Sequence, residues 1–373
     1  MPHRVHAPAF RRKLAPVAAF VLALTVGLST TSAFALNVEI QPYPAGYVEP
    51  QKRNAALVYW QGWSLITPDV KTAVADIKWD TLEKAYTLDA LPKEFSYSDS
   101  ELFSRSGSCL ESLVAAASMP YCNFEVAHEA GAFALMPHLA HYRAGCRVLR
   151  YHARCAWVAG KVHRAAEYLA AAIRSANHIS HDGVVISGLV AVAGATQGLE
   201  EASVFAASGT MTAAAKKVIS DAIDTLPAND PAGLAQSIIT ERDIFLKWIP
   251  RHYTGADAGK KLANELLQMN SSTEVAAQQS IIGMDATALA AACKKATGGY
   301  DAMAEAYRAA DPIAAITQVE QRIKRDEFGE VFKLLAPSVM KIRQSDTKFR
   351  DAIAATRKAL AEAKLAPADS DSK

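Results

Sequence analysis

The stretch MPHLAHYRAGCRVLRYHARCAWV places His138, His141, His152, Cys146, Cys155 and four arginines within a few helical turns of one another. On a helix opened by Pro137, a residue suited to a first turn, successive side chains rotate by roughly 100°. His138, His141 and His152 then fall within about 60° of one another, on a mainly apolar face with Gly145, Val148, Leu149 and Ala156. His138 and His141 are close enough to hold one divalent metal if another helix supplies a third ligand, and a metal-dependent hydrolase could use Glu129 or Asp182 beside them. His152 lies about 16 Å farther along the axis, outside such a site. The competing reading is a set of histidines hydrogen-bonded inside a helical core. HEAGA at 128–132 begins like a zinc-protease signature but lacks the second histidine four positions on.

Arg143, Arg147, Arg150 and Arg154 fall on the opposite side, within about 60° of each other over roughly three turns. A row of guanidinium groups could hold a polyanion, such as a phosphorylated or carboxylated envelope polymer, through paired hydrogen bonds. The alternative is a solvated face, or one paired with carboxylates of the following helix, where Glu167 is available. Farther on, Glu241, Arg242, Asp243 and Lys247 put acids and bases at helical spacing, an arrangement better suited to tying helices together than to proton transfer. The chain has no G-x-S-x-G, no GxxxxGK[ST], no GxGxxG and no CxxC pair. No catalytic residue and no cofactor is therefore expected, although helical folds can assemble sites from distant positions.

To position these residues the chain must be helical almost throughout. Alanine is abundant, glycines concentrate between periodic segments, and no convincing alternation of apolar and polar residues occurs, so an all-α fold is expected. Helices are predicted from Asn54 onward, then over 67–79, 81–88, 98–118, 137–159, 162–179, 184–208, 210–225, 231–250 and 257–269. Further segments are predicted over 273–282, 286–296, 300–310, 312–335 and 338–365, with Pro337 breaking the last two apart. MPYCNFEVAHEAGAFALMP reads as a long ordered connection. The very apolar 184–208 helix, with small residues Gly188, Ala191, Gly194 and Ala195, is suited to the centre of the fold. Its apolar surface also raises the possibility of an apolar ligand carrier in which this helix lines a cavity.

Gly160, Ala165, Leu169 and Ala172 match the turn, small, large and small positions of a tetratricopeptide hairpin, where small residues let two antiparallel helices approach. No second copy follows about 34 residues away, which points to an irregular array of antiparallel hairpins, as a solenoid or bundle. The expected division is a hairpin core over 54–250, a C-terminal helical region over 251–365 and a frayed tail from 366.

The first residues run from basic (Arg4, Arg11, Arg12, Lys13) through an apolar Leu14 to Leu28 stretch to Ala33-Phe34-Ala35, the order of a secretory signal peptide cleaved after Ala35. The apolar stretch is shorter than the roughly 20 residues of a membrane span, and no later one is long enough, so a periplasmic or secreted chain is expected. An extended lead-in over 36–53 follows, rich in proline. The full chain carries 40 basic and 38 acidic residues; removing the four basic ones leaves 36 against 38, a net charge near −2. That balance gives no electrostatic case for nucleic acid. Cys109, Cys122, Cys146, Cys155 and Cys293 lack the spacing of a disulfide-stapled scaffold and read mostly as small buried apolar residues.

NAALVYWQGW, MPYCNFEVAHEAGAFALMPHLAHYR, VAGKVHRAAEYLAAAIRSANHI, VVISGLVAVAGATQGLE and TERDIFLKW occur in that order over roughly residues 54–250. In this order the chain resembles a group of exported all-helical proteins from planctomycete-type bacteria. The resemblance implies an export signal and helical hairpins, and it supplies no residue roles. Taken together, these features point to a noncatalytic exported protein that binds another protein or an envelope polymer.

Overall fold

The computed structural model describes residues 53–77, 105–269, 279–335 and 339–367. Among them are thirteen α-helices and no strand, so the protein is all-α. The predicted signal peptide, the 81–88 helix, nearly all of the lead-in, the 98–104 start of the 98–118 helix and the 273–278 part of the 273–282 helix lie outside the described residues.

Helix α1 (Ala55–Ser64) starts where Asn54 adopts an extended conformation and its side-chain oxygen accepts from the Ala56 amide at 3.1 Å, the job of an N-cap residue. The same side chain accepts from Asn123 N at 2.9 Å, so one asparagine both begins the helix and anchors the 119–136 connection. Helix α2 (Pro68–Asp76) follows with proline in its first turn. A single 3₁₀ turn, Gly107–Cys109, leads into α3 (Leu110–Ala117). The connection beyond it carries a second 3₁₀ segment, His128–Phe133.

Helices α4 (Pro137–Val158), α5 (Val162–Ser180) and α6 (Val185–Ala207) form the middle of the molecule. Gly160, at φ 76°, turns the chain between the first two in a conformation that costs a residue without a Cβ nothing. The contacts His138–Asp182 and His152–Tyr168 step in opposite directions along the chain, which defines α4 and α5 as antiparallel. Contacts from α4 to α6 step in the same direction, through Tyr142–Ala191, Arg150–Glu201 and Trp157–Phe205, so those helices run parallel. The small residues of α6 make this possible: a Cβ on Gly194 would lie 2.5 Å from the Tyr142 hydroxyl.

Helix α7 (Ala213–Asp224) packs on α5, and α8 (Leu234–His252) packs mainly on a later helix, α10 (Ala286–Arg308). Helix α9 (Ala258–Met269) lies between them in sequence. Helices α11 (Pro312–Lys324), α12 (Gly329–Leu335) and α13 (Val339–Glu362) complete the chain. Helix α13 returns to the middle: the Thr356 hydroxyl lies 3.0 Å from the Leu199 carbonyl and 2.9 Å from the Ser203 hydroxyl. The described residues thus belong to one compact unit. Each sealed Leu, Ile or Phe, such as Leu169, Ile173 and Phe205, contributes about 1.5–3 kcal/mol through removal from water.

Three predicted segments differ. The 286–296 and 300–310 helices are a single helix, because Gly298-Gly299 serves as a packing notch and not as a break. A Cβ on Gly299 would sit 2.7 Å from the Phe332 ring, which occupies that space. Conversely, the predicted 312–335 helix is two. Asp326 enters the left-handed region at φ 59° and Gly329 follows at φ 77°, and Lys333 Nζ holds the Asp326 carboxylate at 2.9 Å.

Candidate functional site

Where α4 begins, Nε2 of His138 donates to Oδ2 of Asp182 at 2.5 Å. Asp182 sits just ahead of α6, and the Ser187 hydroxyl in the first turn of that helix donates to the same oxygen at 3.1 Å. The Phe124 ring stacks on the imidazole at a centroid distance of 4.4 Å, and the histidine and aspartate side chains are each 3% exposed. This constellation contains a serine, a histidine and an aspartate, yet the serine bonds the carboxylate and not the imidazole. It therefore lacks the nucleophile-to-base contact of a hydrolytic triad.

Beside it, His141 is half-buried against Trp60 and Trp63. Its Nδ1 lies 3.5 Å from Lys71 Nζ. Burial, then the lysine charge, then His138 push its pKa down, which favours the neutral ring. The two histidines proposed as metal ligands are thus neighbours, but His138 Nε2 is already bonded to Asp182, and an ammonium occupies the approach to His141 Nδ1. Glu129 is exposed on its 3₁₀ turn. Among the described residues no group of three or more His, Cys, Asp or Glu side chains is placed to hold a metal ion.

His152 occupies a separate, sealed position. Its Nε2 lies 2.6 Å from the Ser106 hydroxyl, and burial lowers its pKa to about 3. A serine hydroxyl within reach of an imidazole invites comparison with a nucleophile and its base. Both residues are fully buried, however, and an imidazole of that acidity takes up no proton near neutral pH. Ser106 lies 46 residues from His152 in sequence, and no local motif announces the pair.

The four arginines do not form one open face. Arg143 is exposed and Arg147 half-buried, whereas Arg150 and Arg154 are buried. Nε of Arg150 donates to Oε2 of Glu201 at 3.2 Å, and Arg154 takes the other oxygen of the same carboxylate. Arg150 also approaches Glu200 at 3.6 Å. The physical reason is the parallel packing of α6 on α4, which inserts Glu201 beneath the inner half of the row. Glu167, the partner foreseen from sequence, instead pairs with Arg164 at 2.7 Å.

Glu241 accepts from the Val185 amide at 2.9 Å and so caps α6 from a different helix, with a carboxylate at the positive end of the helix dipole. Burial pushes its pKa up to about 7, against the lowering effect of that hydrogen bond. Arg242 joins α8 to α10 by pairing with Asp301, and it holds Asp243 at 2.7 Å. Burial raises the pKa of Cys109, Cys122, Cys146 and Cys155 to about 12 and that of Cys293 to about 11, which leaves these thiols protonated and unreactive near neutral pH. All five cysteines are free.

Above the His138–Asp182 pair the surface changes character. Leu135 is 84% exposed, Ile186 47% and Phe133 43%. The Met136 sulfur lies 3.8 Å from the Ser187 hydroxyl, which sets the 133–136 segment beside the first turn of α6. Phe133 meets the edge of Trp248, whose ring stacks on His252 at 5.0 Å. Arg143 and Arg147 lie about two and three turns along α4 from this apolar end. Sequence reasoning singled out the arginines but not their apolar neighbours, because Phe133, Leu135 and Ile186 belong to two segments joined only by folding.

The chain matches no protein-family model, no curated protein and no solved structure. Among the described residues, no helix is long and apolar enough to cross a membrane.

Proposed function

We propose that the chain is a noncatalytic, exported helical protein that binds another protein through the surface formed by the 133–136 segment, the start of α6 and the outer arginines of α4. The observation that carries this reading is the exposure of Phe133, Leu135 and Ile186 at the end of α4 whose following turns carry the exposed Arg143 and the half-buried Arg147. Apolar anchors with adjacent arginines are the composition enriched at protein interfaces. A polyanionic polymer is the weaker occupant, since the inner arginines are buried and already pair with Glu201.

The buried burial sites of Leu149, Ala153, Ala165, Leu169 and Ala172 support reading α4–α5 as a tetratricopeptide-like hairpin. Export to the periplasm or beyond rests on the N-terminal pattern and on the resemblance to exported helical proteins. N-terminal sequencing of the protein recovered outside the cytoplasm should begin at Leu36.

The binding reading is tested by placing a photoreactive residue at Leu135 or, as a control, at Lys217, and irradiating cells. A defined protein adduct from Leu135, lost in R143E/R147E and absent from Lys217, is expected. No adduct, or equal adducts from both positions, overturns the proposal, as does a purified protein containing stoichiometric metal and turning over a substrate.

A further inference from the structure

A groove of about 330 Å³ lies between the end of α7, the 226–231 connection and the middle of α13, remote in sequence from the surface described above. Ile223, Leu226, Pro231 and Ile353 give it apolar walls, and of all its lining residues only Arg350 and Arg357 are charged. Its volume falls at the lower end of the range for sites that hold small organic ligands.

The walls are fixed in advance of any occupant. Asp230 accepts from the Leu234 and Ala235 amides at 2.8 and 3.0 Å, which ties the connection to the start of α8. Asn177 Nδ2 donates to the Thr225 carbonyl at 3.1 Å from the side of α5. Pro227 and Pro231 limit the remaining freedom of the backbone.

Arg350 is held from behind. Its Nε donates to Oδ2 of Asp346 at 2.8 Å and its Nη2 to the Asn229 carbonyl at 2.9 Å. Asp346 is 3% exposed, and among the described residues its Oδ1 has no hydrogen-bond partner. Burying a carboxylate is costly, and here its hydrogen-bonding capacity goes to one guanidinium at the groove. The Nη1 group of Arg350 makes no hydrogen bond among the described residues, which leaves its two N–H donors for an incoming acceptor. Arg357 has a different tether: its Nη2 lies 2.7 Å from Asp224 Oδ1, with both side chains more than half exposed. Such a pair exchanges readily for a better-placed anion.

We propose that this groove binds a medium-chain carboxylate. The alkyl chain lies along Ile223, Leu226 and Ile353, and the carboxylate accepts from Arg350 Nη1 and displaces Asp224 from Arg357. Charge complementarity selects the head group: a planar carboxylate matches guanidinium donors, and an uncharged alcohol of equal chain length does not.

Titration calorimetry of the full chain with decanoate, and in parallel with decan-1-ol, tests this. Saturable binding of one decanoate is expected, with decan-1-ol at least about tenfold weaker and Arg357→Gln weakening decanoate by about tenfold. Ala354→Trp fills the groove from an exposed position and should abolish binding, while Lys217→Ala should leave it unchanged. Should Ala354→Trp fail to fold, Ala228→Trp on the opposite wall serves the same purpose. Absence of saturable decanoate binding overturns the proposal. So does equal affinity for the alcohol, or affinity untouched by the groove-filling and Arg357 variants.

Discussion

His138 Nε2 and Asp182 Oδ2 lie 2.5 Å apart at the junction of α4 with the start of α6, both nearly sealed from solvent. A pair in that position ties α4 to the turn between α5 and α6 and to the first turn of α6, because Asp182 also receives the Ser187 hydroxyl. Removing one member strands the other without its partner in a low-dielectric interior. Asp182→Ala should therefore lower stability by about 3–5 kcal/mol, and the double variant with His138→Ala should cost clearly less than the two single changes together. Denaturant midpoints of the four proteins check this; additive losses would show that the pair does not couple the helices.

Glu201 has the same standing for the inner arginines. Glu201→Ala leaves Arg150 and Arg154 without their shared carboxylate and should cost about 3–5 kcal/mol, whereas Arg143→Ala should change stability by less than about 0.5 kcal/mol. Thermal unfolding separates the two, and a large loss from Arg143→Ala would place that side chain in a structural role.

Glu241 makes stability fall as pH rises over a defined window. Its folded pKa, about 7, lies above the ordinary 4.5, so the folded state holds the proton more tightly. The folded state is favoured most below pH 4.5, and the advantage is lost between about pH 4.5 and 7, by on the order of 3 kcal/mol. His152 acts oppositely: with its folded pKa near 3 and its ordinary value 6.5, its contribution is complete above pH 6.5 and lost as pH falls toward 3. The two effects partly cancel, so the diagnostic quantity is a difference. Measured from pH 4.5 to 7, Glu241→Gln should gain stability relative to the native protein; an unchanged difference across that window contradicts the assignment.

Gly131 tests how the apolar surface is held. It adopts φ 60°, and an added Cβ would lie 2.1 Å from Trp248 Cδ2. Gly131→Ala should cost at least about 1–3 kcal/mol and release Trp248 toward solvent, seen as a red-shifted tryptophan emission. Unaltered emission and stability would mean that the 128–133 turn does not depend on this contact.

Much of the helical layout was legible because it depends on local signals. Pro137 and Gly160 frame α4, Asn54 opens α1, and the apolar run after Gly183 has no polar face long enough to be a surface helix. Asp182 could be brought near His138 in thought, since both are equally distant from the Gly160 turn. Glu201 could not, because its place beneath Arg150 and Arg154 depends on α6 running parallel to α4 across an intervening helix. Gly298-Gly299 misled for a related reason: a glycine pair signals a break in isolation, and only the Phe332 ring explains why the helix continues. Likewise, the exposed apolar surface joins Leu135 to Ile186 across about fifty residues, beyond the reach of any spacing rule.

In the proposed function the chemistry-bearing residues fall into an interior set that serves cohesion and an exterior set that serves binding. Adduct yield from a photoreactive residue at Leu135 tests this division most directly when measured in two backgrounds, R143E/R147E and D182N, at a temperature where both are folded. The yield should vanish with the surface change and persist with the interior one. Persistence in R143E/R147E together with loss in D182N would contradict the account.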